Sequence, residues 1–230
     1  MVMPETLSQQ IYNYKVYGNS GNPEVIAKIP VTAKYILDVG CGAGDNARFI
    51  KNRSNYLVGI TISKSEAELA REIFDEVIIA DIESADLKLS QKFDVIIMSH
   101  ICEHLVYPVN AINKLSDFLL PEGIIIIAVP NMAFFKCRLK LMKGDWTLST
   151  SGAFDNTHLH FYSYHSADNL CDTNKLIVSG KSPGELAFPL WPIRKLLPRV
   201  CLSIDRFFGR NFPNLFAQQT ILTLKLRQVI

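Results

Sequence analysis

Features that would suggest a secreted, membrane-spanning or nucleic-acid-binding protein are scarce in this sequence. The five cysteines are scattered and form no Cys-x-x-Cys pair, which suits reduced thiols in the cytoplasm better than a disulfide framework. The longest apolar run, Ile124–Val129, is far shorter than the roughly 20 residues that a transmembrane helix needs. The N-terminus lacks a basic segment followed by an apolar one, so we expect no signal peptide. A net charge of +2 does not favour nucleic acid as a partner.

The remaining composition is that of an ordinary globular protein. Of the 230 residues, 48% are apolar and 20% are charged, which is enough to build one sizeable core. No internal repeat or low-complexity tract divides the chain. We therefore predict a single domain over 1–230, made of an N-terminal helical cap (1–34), a ligand-binding core (35–130), an acceptor-side insert and cap (131–216) and a last strand (217–230).

Short apolar runs alternate with helical patterns through the middle of the chain. Runs without polar interruption are typical of parallel strands that are covered on both faces. Strand–helix alternation predicts an α/β fold with a doubly wound, mostly parallel sheet. The predicted strands are Tyr35–Val39, Tyr56–Thr61, Val77–Ala80, Phe93–Met98, Ile124–Val129, a strand near Leu176–Gly180 and a last strand at Gln219–Leu226.

Helix boundaries are also visible in the sequence. Ser63–Glu66 is a capping-box pattern, and Pro108 suits the first turn of a helix that Pro121–Gly123 should end. Met132–Trp146 combines basic and apolar residues and predicts a basic amphipathic helix. A further helix is expected near Tyr164–Thr173.

The glycine-rich stretch after the first strand is the strongest site signal. It consists of Asp38, then Gly40-x-Gly42-x-Gly44, and glycines allow a tight turn and a close approach of a ligand to the backbone. A dinucleotide site would need Gly-x-Gly-x-x-Gly and an acid at the end of the second strand. Here Asp45 occupies the sixth position and Thr61 ends the second strand, so both dinucleotide marks are missing.

Asp38–Gly44 instead resembles motif I of the class I S-adenosylmethionine-dependent methyltransferases. The likeness covers roughly residues 35–130, with weaker similarity to 180, and several linked motifs are more specific than one glycine loop. It implies a Rossmann-like, seven-stranded sheet with an antiparallel C-terminal strand. The other matching segments are Val58–Ser63, Ala80–Ile82, Phe93–Ser99 and Leu120–Ile126.

This resemblance implies S-adenosylmethionine as the cofactor and assigns residues to it. Asp38 would lie near the ammonium group, Asp81 would accept a hydrogen bond from the adenine amino group, and Ile82 would pack on the ring. The remaining residues that the resemblance places beside the cofactor are Gly40, Cys41, Gly42, Gly44, Thr61, Ile62, Glu66, Ser99 and His100.

Position 61 departs from the family pattern. Most members have an acid there that binds both ribose hydroxyls, whereas Thr61 offers a single hydroxyl. A Thr-x-Ser segment of this kind resembles cyclopropane-synthase-like methyltransferases, in which a residue at the place of Glu66 reaches the ribose. Glu66 is therefore a candidate for the ribose, although a capping-box role alone would also explain it.

The histidines are the candidates for acid–base work, since histidine titrates near neutral pH. His100 and His104 follow the fourth strand, in a segment that resembles the family loop closing over the cofactor beside the acceptor. Glu103 and His104 could equally cap the next helix. His100-x-x-Glu103-His104 also matches a zinc pattern, but that pattern needs a helix, and a strand exit predicts no metal.

Gly152–Tyr162 resembles a segment of bacterial methyltransferases of sugar and glycan biosynthesis. If this segment is a strand, His158 and His160 point to the same face and both could contact an acceptor. Asp155 could orient a histidine or simply belong to a turn. The candidate catalytic residues are therefore His104, His158 and His160.

Residues 186–216 are basic and aromatic, and three interpretations stay open. The segment could be a lid, a homodimer surface, or a face that contacts an anionic membrane. A lid is the first expectation, because Pro192 and Pro198 interrupt any long helix.

Taken together, the resemblance and the residues predict a cytoplasmic methyltransferase that acts on a small molecule or a sugar precursor. An oxygen acceptor with a histidine base is the first expectation, and nitrogen and carbon acceptors stay open. A non-catalytic, cofactor-binding regulatory or partner protein is the alternative, since Thr61 departs from the pattern. A nucleic-acid substrate is disfavoured because Ser99–Cys102 replaces the Asn/Asp-Pro-Pro-Tyr type of base pocket.

Overall fold

One seven-stranded sheet forms the centre of the protein, whose computed structural model describes residues 20–228 apart from 53, 55, 172 and 190–194. In chain order the strands are β1 Tyr35–Val39, β2 Tyr56–Thr61, β3 Glu76–Ile79, β4 Phe93–Ser99, β5 Leu119–Pro130, β6 Leu176–Leu186 and β7 Ala217–Leu226. They lie in the order β3-β2-β1-β4-β5-β7-β6. The first five strands run parallel, and β7 is antiparallel to both of its neighbours. This arrangement confirms the predicted doubly wound sheet with an antiparallel C-terminal strand.

Short helices connect and cover the strands. The α-helices are α1 Pro23–Ile26, α2 Ala47–Ile50, α3 Lys64–Ala70, α4 Pro108–Ser116, α5 Phe135–Met142, α6 Pro198–Asn211 and α7 Pro213–Phe216. Two 3-10 helices, Cys102–His104 and Ser166–Cys171, follow β4 and precede β6. Among the described residues, no helix has the length and apolar character that crossing a bilayer would require.

Both faces of the sheet are buried, because successive side chains of a strand point to opposite faces. In β1, Leu37 and Val39 join one core cluster and Ile36 joins the other. In β4, Ile96 and Met98 likewise join the first cluster, and Val95 and Ile97 join the second. This double burial explains why the parallel strands read as uninterrupted apolar runs.

The boundaries of β1 and β2 are those predicted, but β5 is longer than expected. The sequence prediction placed Pro121–Gly123 as the end of the preceding helix, whereas α4 already ends at Ser116 and these residues lie inside β5. The register between β4 and β5 steps from Phe93↔Leu119 to Val95↔Ile124, so the proline and glycine form a bulge. A bulge tolerates residues that a regular ladder would exclude.

Two predicted helices differ from the structure. The helix expected over Met132–Trp146 is limited to α5, which ends before Gly144 at a φ of +73°. The segment near Tyr164–Thr173 forms a 3-10 helix instead of an α-helix. Residues 1–19 of the predicted helical cap lie outside the described residues, and α1 is the cap helix that is described. Trp191 and Arg194 of the basic segment also lie outside the described residues.

The sheet topology determines where a ligand binds. Strand order reverses at β1, which pairs with β2 on one side and β4 on the other. In open α/β sheets, ligands bind outside the carboxyl ends of the strands at this reversal. The antiparallel direction of β7 brings its first residues to the same edge, where Gln219 pairs with Pro130 at the end of β5.

Candidate cofactor and acceptor site

A cleft of about 1250 Å³ opens at the carboxyl ends of the parallel strands. Pockets for single small ligands usually occupy about 300–1,000 Å³, so this cleft has room for a cofactor and a second molecule. Asp38, Gly44 and His160 do not line it. The predicted site residues that do line it are Gly40, Cys41, Gly42, Thr61, Ile62, Glu66, Asp81, Ile82, Ser99, His100, His104 and His158.

The glycine turn after β1 depends on backbone conformations that other residues rarely adopt. Gly40, Gly42 and Gly44 have φ angles of +69°, +54° and +92°. A Cβ atom added at Gly40 would lie 1.9 Å from Cδ1 of Ile101, so the absent side chain leaves room for this neighbour. The Gly40 amide donates to the carbonyl of Ile60 at 2.7 Å, which fixes the turn against the end of β2.

Asp38 lies at the end of β1, beneath the glycine turn, and is only 1% exposed. Burial raises the pKa of its carboxyl to about 7, although a hydrogen bond with Asn46 opposes the shift. Its Oδ2 atom has no hydrogen-bond partner within the described residues. A buried carboxyl with an unpaired oxygen suits a nearby cationic group, which is the role that the sequence predicted for it.

Thr61 and Glu66 form a hydrogen-bonded pair at the end of β2. The Thr61 hydroxyl donates to Oε2 of Glu66 at 2.8 Å, and Glu66 is buried while lining the cleft. Ser63 caps α3 by accepting a hydrogen bond from the amide of Glu66 at 3.3 Å. The side chain of Glu66 therefore faces the cleft beside Thr61, the position at which the family pattern has an acid.

The carboxyl end of β3 supplies Asp81 and Ile82. Oδ1 of Asp81 accepts a hydrogen bond from the amide of Glu83 at 3.0 Å, which orients the carboxylate. Oδ2 makes no hydrogen bond within the described part of the chain. Ile82 is buried and lines the cleft beside it. The carboxylate of Asp81 therefore offers one free acceptor beside an apolar side chain.

The residues after β4 belong to a polar network that the sequence did not reveal. His100 has a φ of +57°, unusual for a residue other than glycine, and its Nε2 lies 3.1 Å from Oε1 of Gln219. Nδ2 of Asn22 donates to the same Oε1 at 2.8 Å, and more weakly to the Ser99 hydroxyl at 3.4 Å. Gln219 is buried in β7, and only the fold brings it to Asn22.

The charge state of His100 reflects this network. Burial alone would lower the pKa of His100, but its hydrogen bond with Glu103, at 3.3 Å from Nδ1 to Oε1, acts in the other direction. The negative charges of Glu103 and Glu185 and the bond with Gln219 add to it, and the pKa lies above its ordinary value. His100 is therefore suited to carry a positive charge beside the cofactor end of the cleft.

Three side chains that line the cleft, Glu103, His104 and His158, lie together and are called the Glu103 cluster below. The part of the cleft lined by this cluster is called the acceptor end, and the part lined by the glycine turn and the residues after β2 and β3 is called the cofactor end. One ligand-type atom from each lies within 4.8 Å of the others. The rings of His104 and His158 meet edge to face with centroids 4.7 Å apart, and Nε2 of His158 is 4.0 Å from Oε1 of Glu103. The sequence analysis named His104 and His158 as separate candidates, and in the structure their rings are in contact.

A chain of hydrogen bonds orients His104. The Thr157 hydroxyl donates to Oδ1 of Asp155 at 2.6 Å, so it must accept from Nδ1 of His104 at 3.1 Å. Burial would raise the pKa of Asp155, but the two hydrogen bonds from Thr157 outweigh it and lower that pKa. Nδ1 of His104 thus carries the proton, and Nε2 keeps a free lone pair. Asp155 is both a turn acid and a residue that orients a histidine.

The side chain of His158 is almost fully buried, with 5% of it exposed. Burial lowers the pKa of His158 below its ordinary value, against the opposing charge of Glu103. Its ring also makes a hydrogen bond to the backbone of Ala153. His158 is therefore suited to remain neutral, with one ring nitrogen available as an acceptor.

The expectation that His158 and His160 share the face of a strand is wrong. The segment is a loop, and the amides of Leu159 and His160 both donate to the carbonyl of Glu103, at 2.7 and 3.1 Å. Nε2 of His160 lies 3.3 Å from the carbonyl of Val106, and its ring stacks on Tyr162. These contacts hold the loop and leave His160 outside the cleft lining.

Comparison with known proteins connects this geometry to a family. Residues 17–176, more than two thirds of the chain, match the family described as a methyltransferase domain. A ubiquinone biosynthesis O-methyltransferase of Histophilus somni is 24% identical over 128 residues, which cover 51% of this chain and 54% of that protein. The protein of the same name from Alkalilimnicola ehrlichii is 31% identical over 102 residues, covering 42% and 41%. The chain thus spans about half the length of these relatives or less.

Solved structures with the same fold cover most of the chain. A methyltransferase from Mesorhizobium loti, described as dependent on S-adenosylmethionine, superposes with a TM-score of 0.59 at 15% identity, covering 89% of this chain and 96% of that one. The plantazolicin methyltransferase BpumL, solved with SAH, gives 0.55 at 18% identity, covering 85% and 77%. At such identities the likeness shows the fold alone.

Proposed function

This chain belongs to the methyltransferase-domain family, and from that membership we propose that it transfers a methyl group from S-adenosylmethionine to an oxygen of a small-molecule acceptor. The observation that carries the proposal is that one cleft is lined by two sets of residues. The first set is the glycine turn with the acidic residues after β2 and β3, and the second is a pair of histidines. The sulfonium supplies an already activated methyl group, so the protein chiefly has to align two molecules, a task that can contribute about 7–11 kcal/mol.

The residues present suit this cofactor. Asp38 offers an unpaired, buried oxygen near the place of the ammonium group, and Gly40 keeps the turn free of a side chain. Asp81 and Ile82 offer an acceptor and an apolar face for the adenine. We propose that Glu66, positioned by Thr61, binds the ribose hydroxyls in place of the missing acid at position 61. Ile62, Ser99 and His100 would complete this end.

The proton of the acceptor hydroxyl would leave through the histidine pair. His104 keeps a free Nε2 lone pair because Thr157 fixes its proton on Nδ1. We assign it as the base, with His158 as its neighbour. The relatives are named O-methyltransferases, which supports an oxygen acceptor. A sugar or glycan precursor remains the proposed acceptor class, on the resemblance of the segment from Gly152 to Tyr162.

Calorimetry with S-adenosylmethionine and a product screen test this function together. We expect saturable binding of one cofactor per chain, followed by methyl transfer to hydroxyl-bearing acceptors drawn from nucleotide sugars, glycans and phenols. Absence of cofactor binding would overturn the proposal. Binding without transfer to any acceptor would favour the alternative of a non-catalytic, cofactor-binding protein. The presence of Thr61 in place of the usual acid is what keeps that alternative open. Since the five cysteines are free thiols, we propose the cytoplasm as the compartment.

Helix α6 carries a further part of the proposal, contact with an anionic membrane surface. Phe207 is 61% exposed, and Val200 and Leu202 are about half exposed, on a helix that also carries Arg199 and Arg206. Apolar side chains next to arginines favour an anionic interface. Flotation with vesicles containing anionic lipid should show binding that weakens at high salt. A stable dimer in solution without vesicle binding would assign the same face to a second copy of the chain.

A further inference from the structure

The Glu103 cluster has the donor set of a metal site, which the sequence pattern did not predict in this form. The His-x-x-Glu-His pattern would have used His100, but His100 is engaged with Glu103 and Gln219 instead. The structure replaces it with His158, which is 54 residues further along the chain than His104. Two imidazole nitrogens and one carboxylate oxygen are a common ligand set for catalytic zinc and for other first-row divalent ions.

The hydrogen bonds around the cluster are those that a metal site needs. A metal-binding histidine donates its other ring N–H to an oxygen, which fixes the tautomer and leaves a lone pair for the ion. Nδ1 of His104 donates to Thr157, and the ring of His158 bonds to the backbone of Ala153. Each histidine is therefore held with one nitrogen available.

Glu103 supplies an independent observation. The residue is 1% exposed, yet its Oε2 atom has no hydrogen-bond partner within the described residues. A buried carboxyl oxygen without a hydrogen-bond partner is costly, and a bound cation would compensate for it. The other oxygen, Oε1, is 3.3 Å from Nδ1 of His100, an orienting contact of the kind that supports metal-bound carboxylates.

The distances require only a small adjustment. Ligand atoms about 2.1 Å from a tetrahedral ion lie about 3.4 Å from one another. The donor atoms of the cluster lie within 4.8 Å, and the measured separation of His158 Nε2 and Glu103 Oε1 is 4.0 Å. Side-chain rotations of about 1 Å would bring all three onto one ion.

We propose that Glu103, His104 and His158 form a two-histidine, one-carboxylate site for a divalent first-row transition ion of the zinc type. Three protein ligands leave a coordination position open toward the cleft. An acceptor oxygen could fill that position, since the cluster lies at the acceptor end. With an ion bound, His104 and His158 would act as its ligands instead of as bases. The ion would then lower the pKa of a coordinated acceptor hydroxyl, so that its proton could leave to water.

Cobalt titration tests the site directly, because bound Co²⁺ absorbs visible light in a way that reports its geometry and ligands. Metal-free protein without a histidine tag should take up one Co²⁺ per chain, and Zn²⁺ should displace it. Glu103→Gln preserves the size of the side chain and the backbone carbonyl that holds the loop, and should weaken binding at least tenfold. Thr157→Val, which removes the hydroxyl partner of His104 and leaves only the Thr157 carbonyl at 3.3 Å from Nδ1, should weaken binding by about tenfold.

His160→Gln is the matched control, because His160 lies in the same loop and approaches a backbone carbonyl, but lies outside the cluster. It should bind cobalt like the unaltered protein, and circular dichroism should show all variants folded. Failure to take up cobalt, a thiolate-to-cobalt band, or equal weakening by Glu103→Gln and His160→Gln would overturn the proposal. No methyl donor or acceptor is present in the titration, so its outcome is independent of methyl transfer.

Discussion

The cofactor end and the acceptor end of the cleft are supported in different ways. At the cofactor end, each functional residue lies within a few positions of a strand end, and short turns after β1, β2 and β3 fix its position. At the acceptor end, Glu103 and the loop around Thr157 and His158 are more than 50 residues apart in sequence. They meet through two amides of the loop that donate to the carbonyl of Glu103. Local sequence therefore places most residues of the first end, apart from His100 with its long-range contact to Gln219, whereas tertiary contacts bring together the residues of the second.

Among the variants that distinguish the two ends of the cleft, His104→Ala should have the largest effect. Loss of a general base typically reduces the rate by about 10²–10⁴-fold, so kcat should fall in this range. The affinity for S-adenosylmethionine should stay unchanged, because the substitution lies at the acceptor end. Steady-state kinetics and calorimetry on one preparation provide both values.

His165→Ala is the control for that experiment, since His165 is exposed and lies outside the cleft lining. Equal losses of kcat in both variants, or a loss of cofactor affinity in His104→Ala, would contradict a division of labour between the ends.

Gly40→Ala should damage the cofactor end next most strongly. A positive φ for a residue with a side chain costs about 1–3 kcal/mol, and the clash with Ile101 adds an overpacking cost of similar size. We expect cofactor affinity to fall by about 10–100-fold and the melting temperature to drop. Gly144→Ala is matched in φ, at +73°, but its new Cβ meets nothing within 4 Å. A comparable loss of affinity in Gly144→Ala would show that backbone strain alone, without the contact, explains the effect.

Glu66→Gln tests whether the acid missing at position 61 has been replaced. A hydrogen bond to a charged group contributes about 1.5–3 kcal/mol, so cofactor affinity should fall at least tenfold. The melting temperature should change little, because Ser63 still caps α3. Glu68→Gln on the same helix is exposed and should alter neither quantity. Unchanged affinity with a slightly weaker fold would leave Glu66 only its role in the helix cap.

The smallest effect should be a pH dependence of cofactor binding that originates at Asp38. Its pKa is about 7 in the folded protein against an ordinary value of 3.8, so the folded state binds a proton that the unfolded state releases. This group therefore favours folding fully below pH 3.8, and its contribution is lost as pH rises toward 7. A cationic ligand favours the ionised form, so affinity for S-adenosylmethionine should increase between pH 5.5 and 7, by no more than about tenfold per unit.

Asp38→Asn should remove this dependence, and 5′-methylthioadenosine, which lacks the ammonium group, should not show it even with the unaltered protein. A slope that survives in Asp38→Asn would assign the titration to another residue.

The difference between the ends also explains what the sequence could predict. The parallel strands were recognisable because burial on both faces leaves uninterrupted apolar runs, and β1 and β2 were placed to the residue. The glycine turn, Asp81 and the unusual Thr61 could be singled out because each of them lies within a short sequence motif. Gln219 and Asn22 are single polar residues without a motif, and only the antiparallel β7 brings them together. The shape of the loop around His158 could not be predicted, because its contacts with the carbonyl of Glu103 depend on a residue more than 50 positions away.

The position of β7 also has a consequence for the order in which the protein is made. β6 pairs with no described strand other than β7, and β7 is the last of the seven strands in chain order. The strands β1 to β5 can form their parallel sheet during synthesis, while β6 and the Gln219 contact with His100 and Asn22 must wait until β7 has been synthesised. A nascent chain therefore presents the glycine turn early and completes the binding cleft only after β7 has emerged.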